Sequence, residues 1–427
     1  MADTILIISY YLPPMNGPAT QHPSWFFRYL PDYGYRTIAL TSSVYPGEPV
    51  DEDAALRAAD IHRVPDGKWL REMSRYLGKI ELSAQLKVGL WEHGFVWTLF
   101  AIREALRIIE KERVTAIIST SPSVCSHLAA LQIRKKCKNI RWIADFQDPF
   151  VGNPFRRTSS LLKKKEAQLE RDFFECADYV SANTDNVRDM WRNAYPEYDR
   201  KFITTCGGFD PEEEIQAAPI PSARQSPVLA HVGSVYGGRV SEPFIAAFSR
   251  LRRNGELTDK DLNVEFVGSN DFSAVANRRD LEELVNNGAW RIHNEYVSRS
   301  HALRVSASAD YLLILDVTQP HNTKLQVPSK LFDYIRIGRP ILAITPRDSP
   351  TEQILSKSGI AHVIIDTQAS SGAYEGGIMR LLDMPTTPRK PSEWFLRTFD
   401  ARRLAGRMAE VIGAATERTQ TAGSLVY

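Results

Sequence analysis

Cysteine is scarce in this chain. The four present in 427 residues, Cys125, Cys137, Cys176 and Cys206, match neither a paired disulfide framework nor a C-x-x-C metal knuckle. A disulfide scaffold is thereby excluded, and reduced, buried thiols of a cytoplasmic protein are expected. An excess of one charge is also missing, with 53 Lys and Arg against 51 Asp and Glu. That balance leaves nucleic acid without a case as principal partner. No apolar run of about 18 residues is free of charge, so no membrane-spanning helix is expected. The chain opens M-A-D, without the basic start of a signal peptide. What remains is ordinary globular composition, 43% hydrophobic and 24% charged. The chain is too long for one core, and two domains of about 200 residues are expected.

Both halves read as α/β. Thr4 to Tyr10 is an apolar, β-branched run. A loop dense in Pro and Gly follows, Y-L-P-P-M-N-G-P-A-T, then a helix from Gln21 to Leu30 and a strand from Arg36 to Thr41. Further strands are expected at Thr115 to Ser119, Arg141 to Phe146, Tyr179 to Ala182 and Phe202 to Thr205. From Pro211 to Pro227 the chain turns acidic, then rich in Pro, Ala and Ser, which places a domain boundary there. Val228 to Val232 opens a fresh strand before a second glycine-bearing loop, G-S-V-Y-G-G-R. Strands follow at Val264 to Val267, Arg291 to Glu295 and Asp310 to Val317. Pro328 reads as the first residue of a short helix, Gly338 as its left-handed stop, and Pro340 forbids continuation. Another strand ends near Ile344. Trp394 to Ile412 is amphipathic and is expected to return to the first domain. The division expected is 1–210, 211–393, and a returning helix and tail at 394–427.

Several residues could carry chemistry. A helix start presents unpaired N–H groups to an anion. Lys330 adds a charge in that first turn, and Asp333 lies one turn deeper than Ser329, placed to accept from two ribose hydroxyls. A surface helix whose Lys330 and Asp333 face water reads equally well. Arg239 stands where a diphosphate would lie. Gly17 would let backbone approach a ligand, or is a plain turn. Asp145 and Asp148 stand at the carboxyl end of a strand, where open α/β sheets place ligands. Either would orient or deprotonate an acceptor hydroxyl, or cap a helix or turn. The loop Tyr296 to Ser298 is a candidate for holding a nucleotide base. His127 sits inside a helix and reads as structural. Lys68 to Ile109 is rich in aromatics, among them Trp69, Trp91, Trp97 and Phe100, interspersed with Arg and Lys. Residues 68–100 are therefore a candidate for peripheral membrane contact on the inner face, or for a lipid-linked acceptor; from Trp97 onward core packing is preferred. Asp51 to Asp53 reads as a solvated acidic turn rather than a metal site. Neither metal nor cofactor is expected.

In order along the chain, I-S-Y-Y-L-P-P-M-N-G, S-T-S-P-S-V-C-S-H-L-A-A, W-I-A-D-F-Q-D-P-F, C-G-G-F-D, H-V-G-S-V-Y-G-G-R and P-S-K-L-F-D-Y-I-R-I-G-R-P-I-L-A resemble one family. It is the large retaining group of GT-B fold glycosyltransferases numbered family four. The resemblance implies two Rossmann-like domains facing across a cleft, with a C-terminal helix crossing back to the first. It implies a nucleotide-diphosphate-sugar donor bound mainly by the second domain, and a carbohydrate or lipid-linked acceptor bound by the first. Donor-binding residues would be Gly17, Gly233, Ser234, Gly238, Tyr296, Val297, Pro328, Ser329 and Asp333, with Asp333 in the place of the ribose-holding Glu. Arg239 falls where the family has a diphosphate-binding Lys. The catalytic set would be Arg239, Lys330, Asp145 and Asp148, acting without metal, in surface polysaccharide, glycolipid or glycoconjugate synthesis. Two positions depart from the family: Leu325 replaces a second Glu that touches the donor sugar, and Ser234 replaces an Arg. A GT-B sugar-nucleotide epimerase and a non-catalytic nucleotide-sugar-binding relative are the alternatives.

Overall fold

Strand β1 (Thr4–Ser9) is buried along its whole length. A strand covered on both faces has no place for alternating polar residues, which is why it reads I-L-I-I at its centre. In the computed structural model, which describes residues 2–44, 50, 56, 58–67, 94–153, 160–217, 226–235, 239–258, 260–273, 275, 278–316 and 323–423, β1 pairs in parallel with β2 (Arg36–Ser42) and β4 (Val114–Thr120). With β3 (Ile61–Val64), β5 (Arg141–Phe146), β6 (Tyr179–Ala182) and β7 (Phe202–Thr204) they form one sheet in the order β3-β2-β1-β4-β5-β6-β7. Strand β3 was not expected. Its I-H-R-V is only partly buried at the sheet edge and lacks an apolar run.

A second sheet holds β8 (Val228–Val232), β9 (Asn263–Val267), β10 (Trp290–His293), β11 (Tyr311–Leu315), β12 (Ile341–Ile344) and β13 (His362–Ile365), in the order β10-β9-β8-β11-β12-β13. Its pairs are parallel as well. In each sheet the strand order reverses once, between β1 and β4 and between β8 and β11. Such reversals open a crevice at the carboxyl ends of the strands.

The chain divides into two compact units, Met1–Asp210 with Ala401–Tyr427, and Pro211–Asp400. In the first, Ile5, Ile7, Ile118 and Ile143 pack under Trp25, Phe26 and Tyr29 of the helix Gln21–Tyr29 and under Leu404 and Met408 of the helix Ala401–Gly423. In the second, Phe244, Phe248, Phe266 and Trp290 form an aromatic cluster against β9 and β10. The amphipathic run expected from Trp394 to Ile412 is two helices, Glu393–Thr398 and Ala401–Gly423. The break has a reason: Trp394 and Phe395 pack on Phe399, itself stacked near Phe332 of the second unit. The segment returning to the first unit therefore starts at Ala401, whose N–H donates to the Phe209 carbonyl at 2.9 Å.

Trp97 is fully buried and meets Tyr10 edge-on, whereas Leu99 and Phe100 are exposed at 63% and 39%. Core packing thus holds for Trp97 but not for Phe100. Residues 68–93, and with them Trp69 and Trp91, lie outside the described residues, as do Asp51 to Asp53. No helix among the described residues is long and apolar enough to cross a membrane.

The loop after β5, which carries Asp148, is tied down by a buried carboxylate. Glu170, on the helix Ser160–Cys176, accepts from the Val151 N–H at 2.8 Å and from Tyr195 Oη at 2.9 Å. Burial pushes this carboxyl up to about 7, with the hydrogen bonds pulling against it and the nearby Glu166 charge adding to it. Between pH 4.5 and about 7 the folded chain keeps a proton that the unfolded chain has released, so Glu170 makes stability fall as pH rises through that window. Glu170→Gln is expected to melt above wild type at pH 8, with the gap closing at pH 4.5. Thermal unfolding across pH measures this, and a constant gap would sink it.

Candidate functional site

At the reversal of the second sheet, β8 ends in His231, Val232 and Gly233. Gly233 adopts φ 116°, a conformation that side-chain-bearing residues rarely take. A Cβ there would lie 2.9 Å from Lys330 Nζ. Gly268, at φ 133°, backs onto it, and a Cβ there would meet the Gly233 backbone at 2.9 Å. Two glycines back to back thus bring the ends of β8 and β9 together and leave room for the lysine. The helix Lys330–Ile337 is tied to the same strand by Tyr334 Oη, which accepts from the Val232 N–H at 2.9 Å. Gly338 stops this helix at φ 81°, as expected. Its start differs: Pro328 and Ser329 precede the helix, and their carbonyls accept from Leu331 and Phe332 in a tight first turn. A prolyl ring fixes φ but leaves open how many residues later the helical pattern begins.

Lys330 Nζ lies 2.7 Å from His231 Nε2, and His231 Nδ1 lies 2.9 Å from the Leu313 carbonyl on β11. Burial, then the charge of Arg239, holds the Lys330 ammonium well below its ordinary range. Burial and then the Lys330 charge lower His231 in the same direction. Lys330 thus stands against the turn at Gly233, and the Arg239 charge bears on it. Ser234 is exposed beside it, and Gly238 lies outside the described residues.

Asp333 is 7% exposed and holds Arg299 through both oxygens, at 2.9 Å to Nη2 and 3.2 Å to Nη1. Arg299 also grips both oxygens of Glu213 at 2.7 Å, and Arg336 donates to the Glu213 carbonyl. Burial opposes the Arg299 charge, but Asp333 and Glu213 raise its affinity for the proton overall. The expected ribose acceptor is therefore already engaged, though two bonds leave a carboxylate with further lone pairs. Arg299 follows directly on Tyr296, Val297 and Ser298, and so couples the candidate base loop to Asp333. Tyr296 is exposed and Val297 half-buried.

In the first unit, Gly17 takes φ 125° with open space where a Cβ would stand, and its carbonyl accepts from Thr20 Oγ1 at the entry to the helix Gln21–Tyr29. The first turn of that helix brings His22 Nδ1 to 3.0 Å from Asp145 Oδ2. Asp145 is fully buried, and the imidazole of His22 that stands against it is itself only 4% exposed. Asp145 faces Thr120 and Ser181 in register on either side, and Asp145 Oδ1, Thr120 Oγ1 and Ser181 Oγ are enclosed without hydrogen-bond partners among the described residues. Asp148, half-buried, sits apart on a loop held by Gln147, whose N–H donates to Ser121 Oγ and whose amide donates to the Ala19 carbonyl. His127 is enclosed against Phe146, with burial pushing it down to about 3, as befits a structural imidazole. Among the described residues no group of three or more His, Cys, Asp or Glu could hold a metal ion.

Three residues were missed from sequence: His231, Arg299 and His22. His231 had a signal, as the one polar residue in V-L-A-H-V. Nothing in the local sequence singles out the other two.

No family model and no curated protein matches the chain. Solved structures do. It is similar to a sucrose-phosphate synthase from Thermosynechococcus elongatus, at 15% identity over 99% of both chains with a TM-score of 0.59. It is similar to an α,α-trehalose-phosphate synthase (UDP-forming) from Burkholderia xenovorans, at 12% identity over 96% of this chain and 100% of that one, with a TM-score of 0.63. A UDP-GlcNAc 2-epimerase from Methanocaldococcus jannaschii is similar at 11% identity over 96% and 99%, with a TM-score of 0.53. At these identities the likeness bears on architecture, and with its two parallel-sheet α/β domains the chain has the GT-B fold.

Proposed function

We propose that the protein transfers a sugar from a nucleotide-diphosphate-sugar donor to an acceptor hydroxyl. The carrying observation is the cationic corner: Lys330, held at the Gly233 turn by the start of a helix, with the Arg239 charge beside it. Glycosyl transfer from such a donor expels a nucleoside diphosphate, and fixed cations stabilise the charge that develops on it. Arg239, Lys330 and the N–H groups at Ser329 and Lys330 supply this without calling on a metal. Asp333, steadied by Arg299, receives the ribose hydroxyls through its remaining lone pairs, with Tyr296 and Val297 near the base.

The acceptor is placed against the first unit. His22, oriented by Asp145, is the group equipped to receive or direct the proton of an acceptor hydroxyl. Retention of anomeric configuration follows from the family resemblance, with the departing phosphate on the same face as the attacking hydroxyl. Exposed Leu99 and Phe100, with Arg103 and Arg107 on the same helix, would suit a lipid-linked acceptor and a role in surface polysaccharide or glycolipid assembly on the inner face of a membrane. The fold shared with a UDP-GlcNAc 2-epimerase supports a second reading, epimerisation of the donor sugar. Incubation with nucleotide sugar alone separates the two, because an epimerase needs no acceptor.

Lys330→Ala and Arg239→Ala should each lower turnover by about 10² to 10³. Unchanged turnover in both would end the assignment. His22→Ala and Asp145→Asn should each lower transfer by about 10²-fold, and the double variant by no more than the worse single, because the two act as one unit. Losses that multiply would refute their pairing, and the anomeric coupling constant of the product reads retention directly.

A further inference from the structure

The charge on which the proposed donor site rests is aimed by an imidazole. His231 Nδ1 lies against the Leu313 carbonyl, which favours the hydrogen on that nitrogen and leaves the Nε2 lone pair to Lys330, and the Ser234 backbone also meets the ring. The ring is 1% exposed and is fixed across the strand reversal, β8 to β11. Lys330 Nζ in turn lies where the missing Gly233 side chain would be. We propose that His231 is a positioning residue for diphosphate recognition, holding the Lys330 amine over the Gly233 turn so that its other donors meet the phosphates. This rests on the donor reading above and adds a residue which that reading does not need.

The physical advantage is pre-ordering. A lysine side chain loses much rotamer freedom when an anion fixes it, and here that ordering precedes the ligand. A neutral imidazole is the right partner for the task. A carboxylate would neutralise the amine and compete with phosphate, whereas Nε2 accepts one hydrogen bond and leaves the charge to the ligand. The groups that bear on the amine are His231 on β8 and Arg239 beyond it. Asp333, one turn along the same helix, is turned to Arg299, and Tyr334 Oη is turned to Val232. Burial and Arg239 favour release of the Lys330 proton in the empty site, and an arriving diphosphate favours its return. Binding should therefore take up a proton.

The test is calorimetric titration of the full chain with inorganic pyrophosphate and with UDP, GDP and ADP at pH 8, in buffers of differing ionisation enthalpy. Wild type is expected to take up protons on binding, the sign that a returning amine requires. Lys330→Ala should abolish that uptake. His231→Leu should weaken binding about tenfold, the loss of one charge-assisted contact. His231→Gln, which keeps an acceptor near Nε2, should recover most of it. In a Lys330→Ala background His231→Leu should cost nothing further. Additive losses, or Gln no better than Leu in a folded protein, would overturn the proposal while leaving the donor reading intact. Should His231→Leu not fold, His231→Gln carries the test: binding no tighter than that of Lys330→Ala in a folded protein overturns the proposal by itself. If wild type binds none of the four ligands, the donor reading falls first and this proposal falls with it.

Discussion

A buried amine leaning on a neutral imidazole is the constraint around which the second unit is arranged. Such an amine has two ways to be satisfied: it loses its proton, or it finds an anion. Each neighbouring feature serves to keep both ways open. Gly233 and Gly268 remove the side chains that would fill the space, and the Leu313 carbonyl fixes the imidazole tautomer. Tyr334 locks the helix that carries the lysine to the strand that carries the histidine. Lys330 turns to His231, while Asp333, three residues on, is held by Arg299.

The first unit solves a related problem with opposite charge. Asp145 stands fully buried at the end of a strand, and His22 Nδ1 lies 3.0 Å from its carboxyl oxygen. Both sites sit at the carboxyl ends of parallel strands, close to where strand order reverses, and both use an imidazole to govern a charged partner. In one the imidazole receives a hydrogen bond from an amine; in the other its Nδ1 meets a carboxyl oxygen.

Much of the architecture was legible in the sequence because buried parallel strands announce themselves as short apolar runs. Thr4 to Tyr10, Val228 to Val232 and Asp310 to Val317 each fell within two residues of the observed strand. Edge strand β3 escaped because half-exposed I-H-R-V carries no such run. Gly338 was readable because a left-handed helix stop favours one residue type, while the helix start was misplaced by two residues. Lys330, Arg239 and Asp333 could be named as candidates, but the side chains they meet could not. His231 is 99 positions from Lys330, Arg299 is 34 from Asp333, and His22 is 123 from Asp145. Local spacing cannot reach that far, since tertiary packing alone sets those distances.

The chain leaves the first unit at Asp210 and re-enters it at Ala401, and the hydrogen bond from Ala401 to Phe209 places departure and re-entry side by side. Topologically, residues 211–400 are a loop grown into a domain, with both ends at one point of its host. The helix Ala401–Gly423, which covers part of the first sheet, is synthesised only after the whole insert has emerged. On the ribosome the nucleus of the host must wait, part-finished, with Ile5, Ile7 and Trp25 lacking the cover of Leu404 and Met408. The order of synthesis therefore favours completion of the second domain before the first.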